Sequence, residues 1–183
     1  MNKLIFILLF TISFSKKLRL ISLDEEFSTY VDTLIERHNY YRSLQQNTPN
    51  LEKSQDLCDI AQAYAEELAE KGIFQHSGNS YNGEWMGENL YVTYSPGRPR
   101  IDSNTPADNW YSEISQYNFT QSVYVPGAGH FTQMIWKSSQ YIGCGFARGK
   151  YSSYNAIQIV CNYYPGGNIN SFNYFKNNVL PLK

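Results

Sequence analysis

Apolar residues recur along this chain with two different periods, and the changes of period mark its elements. Over residues 24–47, Phe27, Val31, Leu34, Ile35, His38 and Tyr41 fall at spacings of three and four, which predicts a helix with one buried stripe. Asp24, Glu25 and Glu26 suit the positive end of its dipole, and Asn47-Thr48-Pro49-Asn50 ends it. A second helix is expected over 54–71. Ser54 caps it, Leu57, Ala61, Tyr64, Ala65 and Leu68 face inward, and Gly72 terminates it. The period then shortens. Residues 74–79 form an extended piece and a turn, Asn82-Gly83 is a further turn signal, and 86–94 (MGENLYVTY) alternates as a strand.

A loop rich in Pro and Gly over 95–105 leads to a third helix, with Thr105 as its cap, Pro106 at its first position, and Trp110, Glu113, Ile114 and Tyr117 on one face. After a second such loop, 129–145 reads GHFTQMIWKSSQYIGCG. Phe131, Met134 and Ile135 predict a short helix there, which Gly129 is expected to enter through a positive φ. Gly143 and Gly145 are expected to mark a bulge or a close backbone approach on the following strand. Residues 142–148 and 155–163 form a hairpin. Centring its turn between Ser152 and Ser153 sets Cys144 opposite Cys161 on the same face, so a cross-strand disulfide is expected. Phe175, Val179 and Leu180 are placed to dock on the core.

Composition narrows this picture. A chain of 183 residues with 16% aromatics suits one domain with a real core and excludes disorder. A net charge of −1 provides no basic footprint for nucleic acid. Residues 1–15 read as a secretory leader: Lys3 precedes an apolar run over 4–14 that is too short to span a bilayer, and Ser13 and Ser15 suit cleavage after Ser15. The chain is therefore expected to be extracellular, with a short segment at 16–23 and a folded domain at 24–183. Lys16, Lys17 and Arg19 leave an uncleaved anchor as the alternative. Three cysteines imply one bridge and one remainder, Cys58, which reads as a small buried residue or, if exposed, a dimer contact. Asn118-Phe119-Thr120 is the single acceptor triplet for N-glycosylation.

Two carboxylates sit on apolar faces. Glu88 shares the parity of Leu90, and Glu113 lies among Trp110, Ile114 and Tyr117. A buried carboxylate needs a partner or a metal, although Glu113 could instead reach water from the boundary. His76 and His130 lie at the edges of elements, whereas His38 sits on the buried stripe and reads as core. Two imidazoles and two carboxylates suit Zn²⁺ or acid/base pairs, but spacing does not establish that four separate segments converge.

GHFTQMIW, GENLY, DNWYSEI and VCNYYPGGN, together with RHNYYRS in the first helix, resemble the CAP superfamily, the cysteine-rich secretory, antigen 5 and pathogenesis-related class 1 proteins. The ending FKNNVLPLK is similar to the Golgi-associated branch. That branch is usually intracellular and N-myristoylated, and position 2 here is not Gly. The resemblance implies an α+β fold, a single-domain α–β–α sandwich with a small, mostly antiparallel sheet between helical layers. It implies that His76, Glu88, Glu113 and His130 line one cleft able to hold Zn²⁺ or another divalent cation, and that Gln133 orients a histidine or nearby backbone. It also supports the Cys144–Cys161 pairing. The implied role is a lipid- or sterol-binding or extracellular interaction module with possible membrane-surface contact, in which the segment 91–106 either contacts sterol or is a flexible connector. The oligomeric state is left open. The alternative is a hydrolase. It would use a metal-activated water with Glu88 or Glu113 as base, or Ser77 as nucleophile. A third reading makes the metal purely structural.

Overall fold

The computed structural model describes residues 27–171 and 173–183. The expected leader at 1–15, the segment 16–23 and the acidic start of the first helix lie outside the described residues. The apolar stripe of the first helix, α1, runs over 27–44, where Val31, Leu34 and Ile35 are buried. It stops short of Asn47 because Gln45 leaves the helix to bridge Leu182. A two-residue strand, β1 (Glu52–Lys53), precedes α2 (Gln55–Lys71). The ends of α2 are set as expected. The Ser54 side chain accepts from the Leu57 N–H, and Gly72 adopts the left-handed conformation with φ 66°.

Residues 74–79, expected as an extended piece and a turn, carry no strand, and a small hairpin, β2 (Ser80–Tyr81) and β3 (Glu84–Trp85), follows them. Its turn is Asn82-Gly83, both at positive φ, the arrangement that matches strand twist. The main sheet adds β4 (Gly87–Ser95), β5 (Tyr141–Tyr151) and β6 (Tyr154–Tyr164) in the order β1-β5-β6-β4; β1 runs parallel to β5 and the other pairings are antiparallel. Three further helices are α3 (Thr105–Ser112), α4 (Gly129–Met134) and α5 (Tyr174–Asn178). Asn104 occupies the cap position of α3, and Thr105 and Pro106 form its first turn. The third helix ends earlier than its apolar spacing predicts: a 3-10 segment, Glu113–Gln116, follows directly.

Strand alternation divides the core in two. Ile157, Ile159, Cys161 and Tyr163 of β6 face α1, α3 and α4, with Trp110, Phe131 and Trp136. Val160, with Leu90 and Ala147, faces the alanines of α2. Helices therefore cover both faces of the sheet. Cys144 pairs directly with Cys161 in the β5–β6 register, and the two form a disulfide with a Cα–Cα distance of 4.2 Å. Cys58 is buried and unbonded, so it offers no dimer contact. Phe175 and Val179 are buried in the first of the two cores.

The strand glycines answer a close approach, with no bulge in the β5–β6 register. A Cβ on Gly143 would stand 2.2 Å from the Cys58 nitrogen, and one on Gly145 2.4 Å from the Gln62 backbone. Helix α2 thus rests on bare strand backbone, and a methyl there must push the two elements apart. Gly145→Ala is expected to cost about 2–3 kcal/mol, read as a lower midpoint in urea unfolding.

Candidate metal cleft

The cleft opens across β4, which is an edge strand. Successive residues of a strand point to opposite faces, so Glu88 reaches toward the α2 side and Asn89 toward α3 and α4. The Glu88 side chain is 8% exposed. Its Oε1 accepts from the Ser77 N–H at 2.9 Å and pairs with His76 Nδ1 at 2.8 Å. Its Oε2 is buried without a partner. Burial pushes the Glu88 carboxyl up, but the hydrogen bonds from His76 and Ser77 outweigh it and hold the group below the usual carboxylate range. The same bond to Glu88 raises His76 above the ordinary imidazole range, against a smaller opposing effect of burial.

The second pair is built by the early end of α3. Glu113 Oε2 accepts from the His130 and Phe131 N–H groups at 3.0 and 3.1 Å, and Oε1 pairs with His130 Nδ1 at 2.7 Å. One carboxylate therefore caps the start of α4 and orients its histidine. The His130 ring lies nearly parallel to Trp110, with centroids 6.1 Å apart. Asn89 fixes the same turn from beneath, donating to the His130 carbonyl at 3.1 Å.

His76, Glu88, Glu113 and His130 all line one cavity of about 240 Å³, with Tyr124 and Asn168 among its walls. A neighbouring cavity of about 230 Å³ continues past His76 and Glu88 to Ser77, Trp85 and Gln133. In both histidines Nδ1 faces a carboxylate, so the neutral ring keeps its lone pair on Nε2. Among the described residues, no three His, Cys, Asp or Glu side chains stand close enough to hold an ion together. The tetrad shares the cleft as two His–Glu pairs.

The other expected participants take different places. The Ser77 hydroxyl accepts from the Asn79 N–H at 3.0 Å and bonds neither imidazole, so the contact a serine nucleophile requires is not made. Gln133 orients backbone and no histidine: its Oε1 accepts from the Gly167 N–H at 2.8 Å. Gly129 is not at positive φ; Gly127 is, at 86°. The Gly129 carbonyl instead accepts from Asn168 Nδ2 at 2.9 Å, and Thr132 Oγ1 donates to Asn168 Oδ1 at 2.7 Å, tying α4 to the segment after β6.

A family model, the cysteine-rich secretory protein family or CAP, matches residues 35–163, a span that contains all four cleft residues. The chain belongs to the CAP family. It is 38% identical over 151 residues to the human Golgi-associated plant pathogenesis-related protein 1, covering 82% of this chain and 92% of that one. Among solved structures, BmVAL-1 superposes with a TM-score of 0.65 at 22% identity, over 84% of this chain and 82% of its own. NaASP2, solved with Zn²⁺, superposes with a TM-score of 0.58 at 21% identity, over 83% and 85%. These likenesses show the CAP fold, α+β, with five α-helices and a mixed four-stranded sheet among the described residues.

Two features of this CAP chain went beyond the reading of its residue types. Arg42, known from the sequence only as part of RHNYYRS, is fully buried and donates to the carbonyls of Pro49, Met134, Trp136 and Ser139 at 2.7–3.1 Å. Burial lowers its pKa to about 10, so it stays charged at neutral pH. His38 is also fully buried, as the sequence implied, bonding the Leu34 carbonyl at 2.7 Å and the Tyr163 hydroxyl at 2.8 Å. Asn89 donates to that same hydroxyl, so a polar chain links α1 to the cleft. Burial, with the Arg42 charge assisting against the Leu34 bond, drops the His38 pKa to about 4.

An imidazole that stays neutral when folded and protonates when unfolded contributes stability at high pH. That contribution is lost as pH falls from about 6.5 to about 4, by an amount on the order of 3 kcal/mol. The unfolding free energy of the native chain, measured against His38→Gln, should therefore show a pH-dependent difference confined to that window.

The loop over 96–104 is tied down. Arg148 Nη1 donates to the Pro99 carbonyl, and Asn155 Nδ2 to those of Pro96 and Gly97. The expected segment 91–106 thus comprises the end of β4, this hydrogen-bonded loop and the start of α3.

Proposed function

We propose that this chain is a secreted ligand-binding module whose cleft holds a divalent cation, Zn²⁺ by its donor chemistry. His76 and His130 would be the protein ligands. Glu88 and Glu113 fix their rings, as carboxylates commonly do behind metal-bound histidines. The observation that carries this reading is the matched pairing of both Nδ1 atoms, which leaves two Nε2 lone pairs for one cavity. The partnerless Glu88 Oε2 is a further oxygen that a bound cation or its water could satisfy. When bound, the ion would supply a Lewis-acid centre or a tie between the α4 turn and the segment before β4.

Titrating the metal-free chain with Zn²⁺ at neutral pH should give one saturable site. His76→Ala and His130→Ala should each abolish it while leaving the circular dichroism unchanged. Acidification should release the metal, because both imidazoles must be neutral to bind. Unaltered binding in both variants would sink the assignment.

Lipid or sterol is the ligand class we assign to this module, with the segment 91–106 as its contact. Exposed Tyr94 and the cavity beside the pinned loop support a contact there. Saturable sterol binding by the purified chain, reduced when 96–104 is replaced by a Gly/Ser linker of equal length, is the expected result. No saturable binding would remove sterol from the account. Secretion is supported by the leader pattern of residues 1–15 and by a disulfide that persists in oxidising compartments.

A further inference from the structure

Outside the cleft, the chain reverses direction just after the 3-10 segment. Tyr117 is buried and packs against Phe119 and Phe131, with ring centroids 5.0 and 5.8 Å apart, which anchors the reversal to the core. The Asn118 carbonyl accepts from the Gln121 and Ser122 N–H groups at 3.1 and 3.2 Å, and Ser122 sits at φ 49°. Asn118 itself is exposed.

Its side chain is already arranged. Asn118 Oδ1 accepts from the Thr120 N–H at 3.0 Å and from the Thr120 hydroxyl at 2.7 Å. Those bonds turn the amide oxygen back on the chain. They leave Nδ2 without a partner among the described residues, on an exposed turn anchored by buried aromatics. The threonine two positions on is the residue type an acceptor triplet requires, and here it is held against the acceptor amide.

We infer that Asn118 is an N-glycosylation site. The donor class is a lipid-pyrophosphate-linked oligosaccharide. A bond forms between Nδ2 and the anomeric carbon of the first sugar, and the bond from that carbon to the pyrophosphate oxygen breaks. The lipid pyrophosphate leaves with the electron pair, and Nδ2 gives up one proton; no oxidant or reductant is needed. The sugar would emerge beside an open groove of about 810 Å³ lined by Phe119, Thr120, Val123, Phe175 and Lys176. That groove shares no lining residue with the metal cleft. A glycan there covers part of the amphipathic groove and leaves the cleft mouth open.

The inference rests on the secretory reading above, so the test separates the two. The full chain is translated with endoplasmic reticulum microsomes, alongside residues 16–183 carried by an unrelated cleavable leader. The expected result in both is a protease-protected product with a mass shift removed by peptide N-glycosidase. The shift should be lost in Asn118→Gln and Thr120→Ala and kept in Thr120→Ser. Modification of the second arm alone would uphold Asn118 as an acceptor and reject the chain's own leader. Import of either arm without the shift would overturn the glycosylation site, whatever the fate of the leader.

Discussion

Arg42→Met is expected to destabilise the fold by at least about 3 kcal/mol in urea unfolding, because leaving a buried carbonyl without a donor costs about 1–3 kcal/mol. Arg42 serves four of them, on the segment before β1 and on the α4–β5 connection. Methionine keeps much of the volume and none of the donors, so the loss isolates hydrogen bonding from packing. Arg42→Lys should recover little, because one ammonium cannot reach carbonyls spread across a planar fork. A midpoint within experimental error of the native chain would mean that water or local rearrangement replaces the guanidinium.

The second large effect concerns Glu113. Glu113→Gln keeps an oxygen for the His130 and Phe131 N–H groups but removes the charge facing His130 Nδ1. Zinc affinity is expected to fall by roughly 10–100-fold, the usual consequence of losing the partner behind a metal-bound histidine, with little change in melting temperature. Glu113→Ala should lose both affinity and stability, since the first turn of α4 then has no acceptor for two of its amides. The contrast between the two variants separates ring orientation from helix capping. Unchanged zinc affinity in Glu113→Gln would show that the carboxylate acts only as a cap.

What could be read in advance follows the range of the forces involved. Helix α2 and the β5–β6 hairpin declare themselves through periodicity, a cap and a turn that all lie within a few residues of the elements they define. The Cys144–Cys161 pairing follows from that hairpin alone. Strand β1 has two residues and is held by β5, some ninety positions away, so no local pattern betrays it. The third helix read too long because Glu113, Ile114 and Tyr117 continue its apolar spacing. The backbone tightens into a 3-10 segment at Glu113, and that carboxylate bonds α4.

The cleft shows the same division. Its residue types were legible as two misplaced carboxylates and two edge histidines. Which histidine goes with which glutamate was not, because the pairing depends on where β4 lies at the sheet edge and on how the segment between Glu113 and Gly129 folds back. His38, Asn39 and Arg42 likewise stand together in sequence but reach Tyr163, Leu51 and Met134. A motif on one helix turn thus fixes three distant segments, which only the assembled fold discloses.

Zinc-edge X-ray absorption on the full chain loaded with one equivalent of Zn²⁺ tests the central claim most directly. The expected first shell holds two imidazole nitrogens at about 2.0–2.1 Å, and that two-imidazole shell should be absent in His130→Ala. A first shell of oxygens alone, or one unchanged by that substitution, would contradict a cation held by His76 and His130.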